Sequence, residues 1–262
     1  MAELSAVDLN SDLGESFGAY SIGADQEVLR LVTSANVACG AHAGDPRVME
    51  ATVRACRDLG VAVGAHPGFP DRVGFGRRTI DASPAEVETD VLYQIGALGA
   101  FAVANGVPLQ HVKAHGALYN LAVTKPAVAA AIARAVVRYD PHLIFVAPVG
   151  SALEHAGIEA GLSVAREAFA DRAYNPDGSL VSRSLPGAVI SDARAAADRA
   201  VRMVEEHSVE TLDGGSIAIE VNTICVHGDN PHAVEILRAI HSAFREKAIT
   251  LTNMRNVLRG GD

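Results

Sequence analysis

Four of the ten histidines stand at the same kind of position, directly after a short apolar run. They are His42, His66, His115 and His227, in the stretches GAH, GAH, AHG and VHG. Imidazoles can transfer protons near neutral pH and can bind metals. In parallel β/α proteins, ligands bind beyond the carboxyl ends of the strands. We therefore expect the four rings to face one site, although any single one could instead be a loop histidine bonded to the backbone.

The first apolar segment, VDLNSDLGES, also carries acids and amides. Asp8, Asn10 and Asp12 share one parity, and Val7, Leu9 and Leu13 share the other, so a strand would place the polar set together on one face. In a barrel that face would line the axis, whereas in an exposed edge strand it would be solvated. Asp12 is the best carboxylate candidate, because Gly14 follows where the strand should end.

The segment LQHVKAHGALYN places His111, Lys113 and His115 on one face. A lysine inside an apolar strand is unfavourable unless it is paired or functional. Desolvation would lower the pKa of Lys113 and suit it to proton transfer, whereas an ion pair with an acid such as Asp12 would make it structural. We predict acid–base chemistry here.

Further candidates lie at other strand ends and in the loops that follow. The predicted catalytic residues are Asp12, Lys113, His115 and Glu167, and the predicted substrate contacts are Asn10, Asn36, Arg72, Arg77, Tyr119, Asp171, Arg172 and His227. An arginine can hold a carboxylate or phosphate through two parallel hydrogen bonds, although these arginines could also lie in solvated turns. Asp45 precedes Pro46 and could belong to the site or cap a helix.

Histidines and carboxylates that converge from several strands could hold a divalent metal. The predicted ligands are Asp12, His42 and His66, because zinc sites commonly take three protein ligands and a water. The sequence contains no HExxH motif, no GxxxxGK[ST] phosphate loop and no GxGxxG motif, and no GxSxG elbow surrounds Ser151, which follows Gly150. None of these motifs therefore assigns chemistry to the chain.

Short apolar runs alternate with helical patterns along the whole chain, which predicts a parallel sheet. The runs lie near 6–9, 34–39, 60–65, 109–114, 143–149, 162–168 and 217–226, and the helical patterns near 25–32, 46–59, 84–105, 125–139, 151–160, 191–207 and 231–246. About seven units suit an α/β fold, a single-domain β/α barrel over residues 1–262 that is one strand short of eight. A doubly wound open sheet is the alternative. The polar segment 169–187 is predicted to be a functional loop.

Composition excludes some classes of partner. The formal charge is −9, which disfavours nucleic-acid binding and adhesion to anionic membranes. Three cysteines without a CxxC pair suggest reduced thiols and a cytoplasmic location. The first residues lack the features of a signal peptide, and no apolar run approaches the ~18 residues that span a bilayer.

Together these motifs resemble the LamB/YcsF family of 5-oxoprolinase A subunits. The matching stretches are DLNSDLGE (8–15), SANVACGAHAGD (34–45), GAHPGFPDRVGFGR (64–77), YQIGAL (93–98), HVKAHGALYN (111–120), EAFADRAYNPDGSLVSR (167–183) and CVHGD (225–229). The resemblance implies a seven-stranded β/α barrel like those of glycoside hydrolases and polysaccharide deacetylases. It also implies ATP-dependent cleavage of 5-oxo-L-proline to L-glutamate, together with subunits B and C, with ATP as co-substrate.

Three residues depart from the family pattern, namely Ala41, Ala114 and Ser182. None of them removes a titratable group, but Ala41 leaves room beside His42 and so affects the expected shape of the pocket. Two other functions remain open. One is a stand-alone metal-dependent amidohydrolase or deacetylase acting on a small amide, and the other is a non-catalytic lactam-binding subunit.

Overall fold

The computed structural model describes residues 6–260, and its centre is a closed barrel of seven parallel strands. Residues 6–260 contain ten strands, namely β1 (Ala6–Leu13), β2 (Ser34–Ala38), β3 (Ala62–His66), β4 (Leu109–Val112), β5 (Ile144–Pro148), β6 (Ser163–Phe169), β7 (Ser208–Glu210), β8 (Ser216–Ala218), β9 (Thr223–Cys225) and β10 (Thr250–Leu251). Of these, β1 to β6 and β9 form the barrel. Strands β1 to β6 pair in chain order, and β9 joins β6 back to β1. The predicted seven-stranded β/α barrel is confirmed, and the open sheet is not formed.

Helices follow the strands around the outside of the barrel. They are α1 (Asp25–Val28), α2 (Pro46–Leu59), α3 (Pro84–Ala104), α4 (Gly116–Thr124), α5 (Pro126–Tyr139), α6 (Ala152–Glu159), α7 (Ala193–Glu205), α8 (Ala233–Glu246) and α9 (Met254–Arg259). Asp45 caps α2 by accepting hydrogen bonds from the backbone of Arg47 and Val48. Ser83 and Glu86 form a capping box at the start of α3. These residues begin the helices where the sequence predicts.

Strand β1 shows how alternation sorts side chains between the two faces of the barrel wall. Val7, Leu9 and Leu13 are buried in the main hydrophobic core. Asp8, Asn10 and Asp12 are also buried, but they bond polar partners from other strands. The polar face therefore lines the barrel axis, and the alternative of a solvated edge strand is wrong.

The register of the strands aligns one polar row across four of them. Asp12 is opposite Asn36, Asn36 is opposite Gly64, and Gly64 is opposite His111. Residues at the same level of adjacent strands have neighbouring side chains on the same face. The row therefore connects β1 to β4 inside the barrel.

Several elements were absent from the sequence prediction. The predicted strand at 217–226 is two strands, of which β8 pairs antiparallel with β7 in a separate hairpin and β9 enters the barrel. Helix α4, β10 and α9 were also missed. Helix α4 is only nine residues long and begins at Gly116, so it merged with the apolar strand before it.

The structure also gives the lengths and polarity of the helices within residues 6–260. None of them alone is long and apolar enough to cross a membrane. Helices α4 and α5, bent by 118° at their junction, meet the length and composition criteria only when taken together. Much of α5 is buried in the hydrophobic core.

Candidate functional site

A cavity of about 640 Å³ opens at the carboxyl ends of the barrel strands. Its floor includes Asp12, His66, Lys113, His115 and His227, which come from the ends of four different barrel strands. The loop after β6, predicted as functional, contributes Arg172, Tyr174 and residues 177–183 to the wall. The structure therefore brings together side chains that lie more than 200 residues apart in the sequence.

Acidic and polar groups surround the ammonium group of Lys113 beneath the cavity. Its Nζ lies 2.7 Å from Glu167 Oε1, 3.1 Å from Asp12 Oδ1 and 3.1 Å from Cys225 Sγ. Burial alone would lower the pKa of Lys113, but the charges of Asp12, Cys225 and Glu167 raise it well above its usual range. The expectation of a lowered pKa was wrong, because the lysine is desolvated together with its counter-ions. Lys113 remains a cation that can donate hydrogen bonds.

Asp12 faces both Lys113 and the cavity. Burial would raise its pKa, but the interactions with His66 and with the cationic Lys113 lower it well below the usual range. Asn36 Nδ2 donates to Asp12 Oδ1 at 2.8 Å and to Asn10 Oδ1 at 2.7 Å. Asp12 is therefore an ionised carboxylate with a fixed orientation.

Asn10 and Asn36 were predicted to contact substrate, but they lie below the cavity wall. Both are fully buried inside the barrel. Asn10 Nδ2 donates to Thr223 Oγ1 at 2.6 Å, and His111 Nε2 lies 2.8 Å from Asn36 Oδ1. Their side chains are occupied by neighbouring strands, so their role is to position Asp12 and Lys113.

Glu167 and Tyr119 form the other side of the lysine network. The Tyr119 hydroxyl donates to Glu167 Oε2 at 2.9 Å, and Glu167 Oε1 accepts from Lys113. Burial and the charge of Glu167 raise the pKa of Tyr119 well above its usual range, so the phenol stays protonated. Tyr119 lines the cavity, as predicted for a substrate contact, whereas Glu167 lies behind it.

His227 forms an imidazole–carboxylate pair with Asp171. His227 Nδ1 lies 3.0 Å from Asp171 Oδ1, and Asn230 Nδ2 donates to Asp171 Oδ2 at 3.3 Å. Burial would raise the pKa of Asp171, but the charge of His227 and its hydrogen bond lower it. Asp171 was predicted to contact substrate, but it stands behind His227 and fixes the orientation of the ring. A carboxylate in that position orients an acid–base histidine.

The arginines divide into two groups. Arg77 lines the cavity and pairs with Asp229 at 2.5 Å, and Arg183, which was not predicted, also lines it and lies 4.0 Å from Asp229. Arg72 instead donates to the carbonyls of Gly40 and Gly44, at 2.5 and 3.1 Å. Arg72 is therefore not among the residues that line the cavity, and its guanidinium holds the loop after β2.

Arg172 lies at the cavity but is used mainly to hold the loop. Its guanidinium donates to the Val181 carbonyl at 2.7 Å and to the Ala188 carbonyl at 3.3 Å. Burial lowers its pKa to about 10, so the group remains charged. It therefore shapes the wall, and the substrate contact predicted for it stays a prediction.

Four buried residues lie together beside the cavity, namely Glu15, His42, His66 and His115, and we call them the rim cluster. His66 and His115 line the cavity, whereas Glu15 and His42 lie behind them. One ligand atom of each lies within 4.8 Å of the others. Burial and the charge of Asp12 raise the pKa of Glu15, while burial and the neighbouring histidines lower those of His42 and His115. Glu15 was missed as a site residue, although its position directly after a strand-ending glycine could have indicated it.

The rim cluster differs from the predicted metal ligands in one respect. His42 and His66 belong to it, whereas Asp12 does not, and Glu15 and His115 complete the group. Asp12 also forms a second group with Cys225 and His227, again within 4.8 Å. Metal binding itself stays a prediction.

Glycines make room for the closely packed rings. A Cβ atom at Gly76 would lie 2.7 Å from atoms of both His42 and His115, and Gly76 has a positive φ of 64°. A Cβ atom at Gly68 would lie 2.8 Å from His42 Nδ1. The Gly-rich loop after β3 therefore approaches the rings so closely that side chains would not fit.

The chain matches the LamB/YcsF family over residues 7–259. It is 54% identical over 245 residues to a protein of Symbiobacterium thermophilum named as the A subunit of 5-oxoprolinase, with 94% of each chain covered. A protein of the same name from Pyrococcus horikoshii is 51% identical, with 97% of this chain and 99% of the relative covered.

Solved structures agree with the fold. The lactam utilization protein of Thermus thermophilus superposes with a TM-score of 0.90 at 51% identity, covering 94% of this chain and 99% of that one. The catalytic domain of a peptidoglycan N-acetylglucosamine deacetylase from Eubacterium rectale superposes with a TM-score of 0.52 at 9% identity, covering 96% and 89%. This second similarity concerns the fold alone and confirms the predicted likeness to deacetylase barrels.

Proposed function

The chain belongs to the LamB/YcsF family, and we propose from that premise that it is the A component of a multi-subunit 5-oxoprolinase. In this proposal it opens the lactam ring of 5-oxo-L-proline to give L-glutamate, in a reaction coupled to ATP. The proposal is supported by relatives that are more than half identical and are named as the A subunit of 5-oxoprolinase, and by the name of the similar lactam utilization protein. The proposal requires that the residues of the cavity can carry out this hydrolysis.

The observation that carries the proposal is the floor of the cavity. An ionised carboxylate, Asp12, lies 3.1 Å from the cationic Lys113, and the paired ring of His227 stands beside them. A ligand atom of His227 lies within 4.8 Å of one of Asp12. Such a set provides a proton acceptor, a positive charge and a proton donor around one small volume, which is what amide hydrolysis requires.

The reaction itself explains why coupling to ATP is reasonable. When a five-membered lactam opens, the new amine stays attached to the new carboxylate. Intramolecular partners of this kind have effective molarities of about 10⁵–10⁸ M, so the ring tends to close again. Transfer of the γ-phosphoryl group of ATP to the lactam oxygen, with release of ADP, would make the carbon more electrophilic. Water would then open the ring, and a second water would hydrolyse the resulting acyl phosphate to L-glutamate and inorganic phosphate, which makes opening favourable.

We assign the following roles to residues of the cavity. Asp12 orients the attacking water and accepts its proton. Lys113 stabilises the negative charge that develops on the substrate. His227, oriented by Asp171, donates a proton to the leaving nitrogen. Arg77 and Arg183 bind the carboxylate of the substrate, because they line the cavity and carry positive charge.

The proposal also covers the partner subunits and the location of the protein in the cell. Subunits B and C are proposed to bind most of the nucleotide and to pass an activated lactam to this barrel, because the chain has no GxxxxGK[ST] loop. Calorimetric titration of the isolated chain with ATP tests this, since tight binding would contradict it. A cytoplasmic location is proposed on the basis of three buried free cysteines.

The central experiment measures glutamate release from 5-oxoproline with ATP, with and without the two partner subunits. We expect turnover only in the complete complex. Lys113→Ala should reduce turnover by at least about 100-fold, because it removes a charge from the reacting centre. Lys247→Ala, which removes an exposed lysine paired with Glu205, is the matched control. Turnover of the Lys113 variant at the wild-type rate would remove Lys113 from the mechanism.

A stand-alone metal-dependent amidohydrolase is the second candidate function. It is favoured by one observation, the presence of three histidines and a carboxylate in the rim cluster. The two functions differ in their requirement for nucleotide. Hydrolysis of a small amide by the isolated chain, with metal and without ATP, would favour the second candidate.

A further inference from the structure

The rim cluster combines strong burial with ligand atoms that converge. Glu15, His42, His66 and His115 are between 0% and 4% exposed. They lie at or just after the carboxyl ends of β1, β2, β3 and β4 in that order, His66 being the last residue of β3, so four consecutive strands each contribute one residue. Buried titratable groups need partners that compensate for the lost hydration, so the ring nitrogens and the carboxylate of this cluster must have such partners.

Backbone carbonyls determine which nitrogens of two rings carry hydrogen. His66 Nδ1 lies 2.7 Å from the carbonyl oxygen of Lys113, and His115 Nε2 lies 2.8 Å from that of Phe75. A carbonyl oxygen only accepts hydrogen bonds, so both of these nitrogens must be N–H donors. In the neutral rings, His66 Nε2 and His115 Nδ1 are consequently bare.

These two bare nitrogens face one another at 3.0 Å. Two lone pairs cannot form a hydrogen bond, so this contact is repulsive unless a positive charge lies next to it. Further lone pairs point to the same place. Glu15 Oε1 lies 3.6 Å from His115 Nδ1 and 3.3 Å from His42 Nε2, and Asp12 Oδ2 lies 3.4 Å from His66 Nε2.

The surroundings prevent the rings from separating. The His42 and His115 rings are stacked with centroids 3.7 Å apart, and the glycines at 68 and 76 let the loop press against both of them. His42 Nδ1 has no hydrogen-bond partner among residues 6–260, so no carbonyl fixes the tautomer of this ring. His42 can therefore direct the lone pair of Nε2 towards Glu15 and the two bare nitrogens.

We propose that Glu15, His42, His66 and His115 bind a divalent transition metal of the zinc class. Metal-bound histidines almost always donate their other N–H to a carbonyl or carboxylate, as His66 and His115 do here. Three imidazoles and one carboxylate suit zinc, cobalt or nickel better than magnesium or calcium, which prefer oxygen ligands. The site would tie the ends of four consecutive strands together, and it does not depend on the proposed lactam activity.

The test begins with the wild-type chain and Co²⁺ or Zn²⁺ alone. We expect one equivalent of metal per chain after gel filtration, and visible absorption bands on Co²⁺ binding that Zn²⁺ abolishes. Loss of a hydrogen bond that merely orients a ligand already weakens metal affinity by about 10–100-fold, so loss of a ligand should weaken binding by more than that. Glu15→Gln and His42→Gln should therefore both lose stoichiometric metal.

Two further variants distinguish this site from others. His155→Gln removes an exposed histidine and should keep full metal content. His227→Gln removes a ligand of the alternative group with Asp12 and Cys225 and should also keep it. Loss of stoichiometric metal in His227→Gln alone would overturn the proposal.

The wild-type measurement decides the matter even if a buried variant fails to fold. Absence of saturable Co²⁺ and Zn²⁺ binding by the folded wild-type chain would overturn the proposal. In that case a proton shared between His66 Nε2 and His115 Nδ1 would relieve the repulsion between these nitrogens, and the nitrogen NMR shifts of the two rings would reveal it.

Discussion

Asp8 is a buried carboxyl group inside the barrel, four residues before Asp12 on β1. It accepts hydrogen bonds from the hydroxyls of Thr33, Ser34 and Thr223, at 2.7, 2.5 and 2.5 Å. Burial raises its pKa to about 6, although the three hydroxyls lower it. The folded chain therefore holds this proton more tightly than the unfolded chain does.

This difference predicts how stability depends on pH. Between about pH 4 and pH 6 the folded state binds more protons at Asp8, so the contribution of this group to stability falls as pH rises. A shift of about two units corresponds to roughly 3 kcal/mol. Asp8→Asn cannot ionise, so wild type should lose about that much stability relative to the variant between pH 4 and pH 7.

Urea unfolding at several pH values measures the effect. Asp58→Asn, which changes an exposed carboxylate beside Arg57, is the control. A constant difference between wild type and Asp8→Asn across this range would contradict the raised pKa.

Gly64 provides a second prediction for a single residue. A Cβ atom there would lie 2.1 Å from His111 Nε2, which lies 2.8 Å from Asn36. Gly64→Ala should destabilise the chain by about 1–3 kcal/mol or more, because the barrel interior cannot expand. Gly96→Ala, in α3 with nothing within 4 Å of its Cβ position, should stabilise it by about 0.5–1 kcal/mol. Denaturant unfolding of the pair would contradict this if both changes had the same sign.

At the scale of elements, Asp45 joins a helix to a loop. Besides capping α2, its Oδ2 accepts a hydrogen bond from the backbone of Gly18 at 2.8 Å. The loop after β1 is thereby held against the start of α2. Asp45 was a candidate either for the site or for a cap, and the structure shows the cap.

Asp45→Ala should lower the free energy of unfolding by about 0.5–2 kcal/mol, as removal of a helix cap usually does. Asp45→Asn keeps an acceptor for the helix but offers an amide to Gly18, so it should recover only part of the loss. Equal stability of wild type and Asp45→Ala in urea would show that the cap contributes nothing.

At the scale of the whole molecule, the seven strands depend on one another because the barrel closes. Strand β9 pairs with both β6 and β1, so the last barrel strand completes a ring that the first strand begins. Separating any strand would expose backbone groups on two neighbours. We therefore predict that the chain unfolds as one domain in a single transition.

Far-ultraviolet circular dichroism and tyrosine fluorescence should report the same midpoint, since the chain has five tyrosines and no tryptophan. Tyr119 and Tyr174 lie at the cavity, while the dichroism signal reports the helices outside the barrel. Two separate midpoints would indicate two independently folding parts.

The sequence alone determined the barrel fold and the placement of the candidate site at the carboxyl ends of the strands. Alternation in β1 predicted the inward face of Asp8, Asn10 and Asp12, because a strand directs successive side chains to opposite sides. Strand ends predicted the positions of Lys113 and His227. These features depend on local periodicity, which a sequence displays directly.

Only the tertiary structure decided the partners. Whether Asp171 contacts substrate or orients His227 depends on how two loops meet, and the sign of the pKa shift of Lys113 depends on counter-ions from β1 and β6. The grouping of Glu15 with three histidines and the hydrogen bonds of Arg72 to backbone carbonyls likewise depend on how separate loops meet. Electrostatic and hydrogen-bond energies depend on distances between atoms, and chain closure brings together atoms that no local pattern connects.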